Sequence, residues 1–162
     1  MPDGLLQRVI SGGQTGVDRA GLDWAFRHGL PIGGFCPEDQ RAEDGKVPAQ
    51  YGLVPLPQGG YRERTEANVL AADGTLILNA GPLDGGTAMT RDFAVQHQKP
   101  YRTVQLDAVG MIPPQACLAW LRQHHISCLN IAGPRASKAQ GVYNLALTYL
   151  DALWRCMAKD AS

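Results

Sequence analysis

Hydrophobic and polar residues follow two patterns along the chain. Short continuous apolar blocks, such as Thr-Leu-Ile-Leu-Asn at 75–79, are separated by segments in which apolar residues recur at helical spacing. Strands are predicted at 5–10, 30–35, 75–79, 101–106 and 127–131. Helices are predicted at 17–28, 61–72, 87–97, 114–125 and 140–158, and a Pro-, Gly- and charge-rich loop at 37–60.

This alternation predicts the fold class. Strands that alternate with helices form parallel sheets with helices on both faces. The predicted strands are apolar throughout, as strands buried on both faces are. We therefore expect an α/β, Rossmann-like, doubly wound parallel sheet of about five strands. The chain has 162 residues, the size of one domain, so we expect a single ligand-binding domain over 1–162.

Composition narrows the function classes. The formal net charge is zero, with 15 Lys and Arg against 15 Asp and Glu, which argues against nucleic-acid binding. No apolar run reaches the length of a membrane span, and the N-terminus lacks the pattern of a signal peptide. The four cysteines are far apart and form no CxxC pair, which argues against a structural zinc site and suits a reducing compartment. We expect a cytoplasmic protein without a metal site of its own.

Glycine is in excess, with 19 of 162 residues, and eight of these glycines fall in four loops that follow predicted strands. The carboxyl ends of parallel strands share one edge of a sheet, where ligands of such folds bind. Glycine lets backbone N–H groups converge on a ligand, and an adjacent helix N-terminus favours an anion. The four loops lie at 11–16, 36–45, 79–87 and 132–138. From the first, third and fourth loops the candidate contacts are Gly12, Gly13, Gln14, Thr15, Gly16, Asn79, Gly81, Gly85, Gly86, Thr87 and Gly133.

Charged and hydroxyl side chains near these loops extend the candidate anion site. Arg135 and Lys138, beside Ser137, are placed to neutralise a phosphate. Arg19 and Arg64 are predicted close to helix N-termini, where a cation is unfavourable unless an anion is also present. Asp18 is a further candidate contact, and structural interpretations stay open: Asp18 and Ser137 fit capping boxes, and Thr87 fits an N-cap.

Four stretches and one run between them form a more specific pattern. They are Ile-Ser-Gly-Gly-Gln-Thr-Gly-Val-Asp-Arg-Ala at 10–20, Gly-Gly-Phe-Cys-Pro at 33–37 with Arg-Ala-Glu-Asp-Gly at 41–45, Gly-Pro-Leu-Asp-Gly-Gly-Thr at 81–87 with Thr90, and Asn-Ile-Ala-Gly-Pro-Arg-Ala-Ser-Lys at 130–138. The run between is Arg-Thr-Glu-Ala-Asn at 64–68, and this pattern adds Thr65 and Thr90 to the candidates. In order and spacing, residues 8–155 resemble the molybdenum carrier family, the molybdenum-cofactor carrier proteins.

The resemblance implies a Rossmann-like fold and a homo-oligomer, either a dimer or a tetramer. It implies binding of the molybdenum cofactor (molybdopterin), whose terminal phosphate and oxo-metal group make it anionic at both ends. A carrier protects this oxygen-sensitive cofactor between its synthesis proteins and its acceptor proteins. The cofactor's own dithiolene and oxo groups hold the molybdenum, so the protein needs no metal ligands.

A more distant resemblance is to the lysine-decarboxylase-like phosphoribohydrolases. Their Pro-Gly-Gly-x-Gly-Thr-x-x-Glu pattern aligns with 82–90, where Pro82, Gly86 and Thr87 match but Thr90 replaces the catalytic Glu. The charge stabiliser for an oxocarbenium-like transition state is therefore missing, and we expect binding without catalysis. Two alternatives stay open. One is a nucleoside-monophosphate hydrolase that uses Asp18 or Glu66, and the other is a sensor of a nucleotide-derived ligand.

Overall fold

The computed structural model describes residues 5–161, and residues 1–4 and 162 of the predicted domain lie outside the described residues. In chain order the elements are β1 (Arg8–Ile10), α1 (Val17–Arg27), β2 (Ile32–Gly33), β3 (Phe35–Cys36), β4 (Arg41–Ala42), β5 (Gly45–Lys46), a 3-10 turn (Ala49–Tyr51), β6 (Val54–Pro55), α2 (Tyr61–Ala71), β7 (Gly74–Asn79), α3 (Gly85–Gln96), β8 (Tyr101–Gln105), α4 (Pro114–Gln123), β9 (Cys128–Ala132) and α5 (Val142–Ala161).

Five of these strands form one parallel sheet in the order β2-β1-β9-β7-β8. The central strands are the most apolar, and every residue of β7 is buried. In the register, Val9 lies opposite Leu129, and Leu76 lies opposite Ile131. The predicted Rossmann-like parallel sheet of about five strands is confirmed.

The two faces of the sheet are covered differently. Helices α1, α4 and α5 pack together over one face, where Trp24, Leu121 and Leu150 belong to the largest apolar cluster. Helices α2 and α3 pack together over the other face, where the buried apolar cluster consists of Val69, Phe93 and Ala94. Alternate residues of a strand point to opposite faces, so each strand contributes to both layers.

The second strand was predicted as one continuous strand at 30–35, and this prediction is wrong, because the segment forms two short strands, β2 and β3. It divides at Gly34, which has a φ of +124° and packs so closely that an added Cβ would lie 2.3 Å from the Ser11 carbonyl oxygen. The chain turns there, so β2 stays in the main sheet while β3 pairs in parallel with β6. An apolar run alone does not reveal such a turn, since the backbone changes direction without a polar residue.

The predicted loop at 37–60 also contains regular structure. It holds the β4–β5 hairpin, the 3-10 turn and β6. Ala42, Val47 and Tyr51 are buried against Leu22 and Cys36, and these five residues form a small satellite core. Strands of two residues are too short for a periodic signal, which is why the sequence pattern missed them.

The remaining elements follow the prediction with shifted ends. Helix α3 begins at Gly85 rather than at residue 87, and α5 begins at Val142 rather than at residue 140. No helix within residues 5–161 is long and apolar enough to cross a membrane.

Candidate functional site

A cleft of about 280 Å³ opens at the carboxyl ends of β1, β7 and β9. The helix after β9 covers one face of the sheet and the helix after β7 covers the other, so the two following loops diverge and leave a crevice. The lining residues are Gly12, Gln14, Asp18, Tyr61, Arg64, Thr65, Asn68, Asp84, Gly86, Thr87, Met89, Thr90, Asn130, Ala132, Gly133, Pro134, Arg135 and Lys138.

Arg64 is the cation of this cleft that is most deeply buried, with 7% of its surface exposed. Its Nη1 donates to the Gly12 carbonyl oxygen at 2.6 Å, and its guanidinium carbon lies 5.3 Å from the centre of the Tyr61 ring. Its Nε has no hydrogen-bond partner, and among residues 5–161 no carboxylate lies within 4.0 Å of the guanidinium. A charge buried in this way favours an anion beside it.

Gly12 makes the position of Arg64 sterically feasible. A Cβ added at Gly12 would lie 2.3 Å from Arg64 Nη1, so any larger residue would push the guanidinium away. This close approach explains one glycine of the first loop by contact with a side chain rather than with a ligand.

Asp18 lies near Arg64 in the same cleft. Its Oδ2 accepts from the Gln14 N–H at 3.3 Å. Burial raises the pKa of Asp18 to about 6, although Arg64 and the N–H groups of Gln14 and Gly133 act in the opposite direction. The capping-box interpretation is not supported, since α1 starts after Gly16 without a side-chain cap.

The first and fourth loops meet at the rim of the cleft around Glu43. The Thr15 hydroxyl donates to Glu43 Oε2, and the Ser137 N–H donates to the same oxygen at 3.2 Å. The Ser137 hydroxyl donates to Glu43 Oε1 at 2.5 Å, and Arg135 Nε lies 3.3 Å from that oxygen. Ser137 therefore binds Glu43 and does not cap α5, which begins at Val142.

The other rim cation, Lys138, is also paired. Its Nζ donates to Asp84 Oδ1 at 2.5 Å and so joins the fourth loop to the loop before α3. Both side chains are partly exposed, so solvent screens this pair. Of the cations that line the cleft, Arg64 is the one that keeps an unpartnered buried nitrogen.

Helices α2 and α3 contribute hydroxyl groups to the lining. Thr90 donates to the Gly86 carbonyl oxygen at 2.9 Å, and Thr65 donates to the Tyr61 carbonyl oxygen at 2.8 Å. Each of these hydroxyl oxygens retains the capacity to accept a further hydrogen bond. Thr87 lies within α3 and is not its N-cap, which is Asp84.

The structure brings together eleven of the nineteen predicted contacts and leaves eight outside the lining. The eleven are Gly12, Gln14, Asp18, Arg64, Thr65, Gly86, Thr87, Thr90, Gly133, Arg135 and Lys138. The eight are Gly13, Thr15, Gly16, Arg19, Asn79, Gly81, Gly85 and Ser137.

Contacts within the protein engage several of the residues outside the lining. Arg19 forms a two-pronged pair with Asp44 at 2.5 and 2.8 Å, and its Nε donates to the Gly13 carbonyl oxygen at 3.0 Å. Asn79 donates to the Gly81 carbonyl oxygen at 3.0 Å and to Gln105 at 2.9 Å. These side chains stabilise the loops around the cleft.

Two polar residues of the lining, Asn68 and Asn130, were not predicted from the sequence. Asn68 is bonded twice to the backbone of Phe35, and Asn130 donates to Thr75 Oγ1 at 3.2 Å. Asn68 follows Arg64 by four residues, so helical spacing was a signal that placed both on one face of α2. Tyr61, Asp84, Met89, Ala132 and Pro134 complete the lining that was not predicted.

Within residues 5–161, no group of three or more His, Cys, Asp or Glu side chains is arranged to hold a metal ion. The four cysteines are unpaired, and Cys36 lies in the satellite core, where burial raises the pKa of its thiol.

A family model matches residues 9–154, and its description is the circularly permutated YpsA SLOG family. The chain belongs to this family. The sheet order agrees with the permutation in that description: if β9 and α5 are placed before β1, the five strands read 3-2-1-4-5. That is the order of the dinucleotide-binding Rossmann sheet, and the cleft then lies at the switch point between strands 1 and 4.

A solved relative has the same architecture. The crystal structure of the "putative molybdenum carrier protein" from Syntrophus aciditrophicus SB is 43% identical to this chain, with a TM-score of 0.86. The match covers 92% of this chain and 95% of the relative. No curated protein matches this chain. These similarities support the family predicted from the sequence.

Proposed function

We propose that the cleft binds the molybdenum cofactor and that the protein carries and protects this cofactor without turning it over. The name of the Syntrophus relative supports a carrier role. The cofactor is the cargo, and its own dithiolene and oxo groups hold the molybdenum. In this proposal the protein is a cytoplasmic homo-oligomer that receives the cofactor from synthesis proteins and transfers it to acceptor proteins.

The observation that carries the proposal is the state of Arg64. Its guanidinium is buried in an open cleft, and one of its nitrogens has no partner. A buried charge is costly unless it is paired, so the cleft favours an anionic ligand that accepts from Arg64. Both ends of the proposed cofactor meet this requirement.

The rest of the lining suits a flat, hydrogen-bonding ring. Tyr61 and Met89 offer apolar surface, and Asn130 contributes an amide to the lining. A pterin carries both donors and acceptors on its edge, which amide and hydroxyl side chains can pair. Binding sites of this kind combine apolar walls with a few placed polar groups.

The test is equilibrium binding of the molybdenum cofactor under anaerobic conditions. We expect the native chain to bind it and Arg64→Met to bind about 100-fold more weakly, since a charge-assisted hydrogen bond and an ion pair are lost. Arg62→Met is the matched control, because Arg62 lies on the same helix over the Phe93 ring and does not line the cleft. No binding by the native chain, or equal weakening by both variants, would overturn the proposal.

Asp18 supports a second candidate function, hydrolysis of a nucleoside monophosphate. It is a buried carboxyl in the cleft with a pKa of about 6, a value suited to general acid–base chemistry. Glu66, the other carboxylate considered, pairs with His97 at 2.8 Å and does not line the cleft. Release of a base from a nucleotide panel, abolished in Asp18→Asn, would establish this function, and the absence of turnover would reject it.

A further inference from the structure

The Glu43 carboxylate occupies a cluster of donors at the rim of the cleft. Thr15 Oγ1, Ser137 Oγ and the Ser137 N–H all donate to it, and Arg135 Nε lies 3.3 Å away. Desolvation raises the pKa of Glu43, but the hydrogen bonds from Ser137 and Thr15 outweigh it and leave the pKa below its usual range. Glu43 is therefore bound here as an anion.

The same donors suit an oxyanion larger than a carboxylate. They comprise two hydroxyl groups, one backbone N–H and one guanidinium, and they converge from two different loops. Phosphate groups are recognised by these donor types. The fourth loop, which holds Arg135 and Ser137, follows β9, the strand that comes first in the unpermuted order. In the dinucleotide-binding sheet, the turn after the first strand carries the phosphate site.

The donor cluster is continuous with the cleft. Arg135 belongs to both, and Gln14, which lines the cleft, accepts from the Glu43 N–H at 2.9 Å. Arg64 and Arg135 line the same cleft, so one ligand can contact both residues. Glu43 itself does not line the cleft, so it contacts the rim from outside.

The hairpin that carries Glu43 is anchored on both sides of its tip. Ala42 and Val47 are buried in the satellite core. Asp44, next to Glu43, is held by the two nitrogens of Arg19. Release of the Glu43 carboxylate therefore needs rotation of one partly exposed side chain, with no movement of the hairpin.

We propose that Glu43 is an internal latch that fills an oxyanion subsite, and that the phosphomonoester end of the ligand displaces it on binding. The phosphate then accepts from Thr15, Arg135 and Ser137, and the opposite end of the ligand points to Arg64. This inference rests on one part of the proposed function, namely that the cleft binds an anionic ligand. It does not depend on the identity of that ligand. It makes Glu43 a regulator of affinity, since every ligand must compete with it.

The test is calorimetric titration with inorganic phosphate, a probe small enough to fill this subsite alone. Glu43→Gln removes the competing charge, so phosphate affinity should rise about tenfold, the effect of one charge-assisted hydrogen bond. Glu43→Ala should also raise the phosphate affinity. Glu38→Gln is the matched control, because Glu38 is exposed on the segment before the hairpin, and its affinity should stay within about twofold of the native value.

A double variant tests whether the gain in phosphate affinity arises at the donors that hold Glu43. In Glu43→Gln combined with Ser137→Ala, the gain should be lost, since the second substitution removes the Ser137 hydroxyl donor while its backbone N–H stays. Unchanged or weaker phosphate binding by both Glu43 variants would overturn the latch, and so would a gain that survives Ser137→Ala. Phosphate binding can follow these expectations even if the molybdenum cofactor does not bind, so failure of the latch and failure of the proposed function are distinguishable.

Discussion

The two faces of the sheet differ in what they bury. The face under α1, α4 and α5 buries a continuous set of large apolar side chains, among them Trp24, Leu121 and Leu150. The face under α2 and α3 buries a small apolar cluster together with Arg64, Asn68 and other polar residues. Apolar burial contributes most of the stability of a fold, so the first face stabilises the protein. The second face has polar groups where a core has apolar ones, and it contributes Arg64 and Asn68 to the cleft at the edge of the sheet.

The strongest test of this division truncates the apolar face. Leu150→Ala should lower the free energy of unfolding by about 3–4 kcal/mol, since Leu150 is fully buried and the change leaves a cavity. Denaturant unfolding measures this loss, and ligand affinity measured well below the transition should not change. A variant that loses affinity while it stays folded would show that the two faces are not independent.

The next test uses Asp18, the buried acid that α1 contributes to the cleft beside the polar face. Because the folded pKa of Asp18 is raised from 3.8 to about 6, the folded state binds its proton more tightly than the unfolded state. Stability from this group is thus full below about pH 4 and is lost as the pH rises to about 6, which amounts to about 3 kcal/mol for a shift of this size. Asp18→Asn lacks this titration, so its stability relative to the native chain should increase between pH 4 and pH 7. A difference that does not vary with pH would contradict the burial of Asp18.

A smaller effect on stability is expected at Arg64. Arg64→Met replaces a buried cation by an apolar side chain of similar length, which removes its desolvation cost and its hydrogen bond to Gly12 together. The free energy of unfolding should therefore change by less than about 1 kcal/mol, although ligand affinity falls strongly. A large loss of stability in urea unfolding would mean that Arg64 is a structural residue of this face.

The smallest effect is expected at Glu66, which also lies on α2 but pairs with His97. Glu66→Gln should leave ligand affinity within about twofold of the native value and stability within about 0.5 kcal/mol, because the pair is partly exposed. Binding and unfolding measured on the same preparation check both values. A marked loss of affinity would extend the functional part of the polar face beyond the cleft.

The sequence pattern predicted the main sheet well because buried parallel strands are apolar runs of several residues. The run at 75–79 falls within β7, Gly74–Asn79, for that reason. The segment at 37–60 was predicted as a loop, and its short strands were missed because strands of two residues carry no periodic signal. The turn at Gly34 was missed because it depends on close contact with Ser11, which lies far from it in the chain.

The loops of the cleft were predictable because parallel strands place their carboxyl ends at one edge. Which residues of a loop face the cleft was not predictable, since this depends on partners distant in sequence. Arg19 and Arg64 both looked like anion-binding cations near helix N-termini. Asp44 pairs with the first, and no carboxylate among residues 5–161 pairs with the second. Asn130 was missed because a polar residue in a buried strand has no periodic signal.

The central claim is that Arg64 makes the cleft a site for an anionic pterin. Its most direct test is mass spectrometry of the small molecules that copurify with the protein under anaerobic conditions, for the native chain and for Arg64→Met. We expect a pterin phosphate or its oxidised form with the native chain and a strongly reduced amount with Arg64→Met. A nucleotide in place of the pterin, or equal amounts of pterin in both preparations, would contradict the claim.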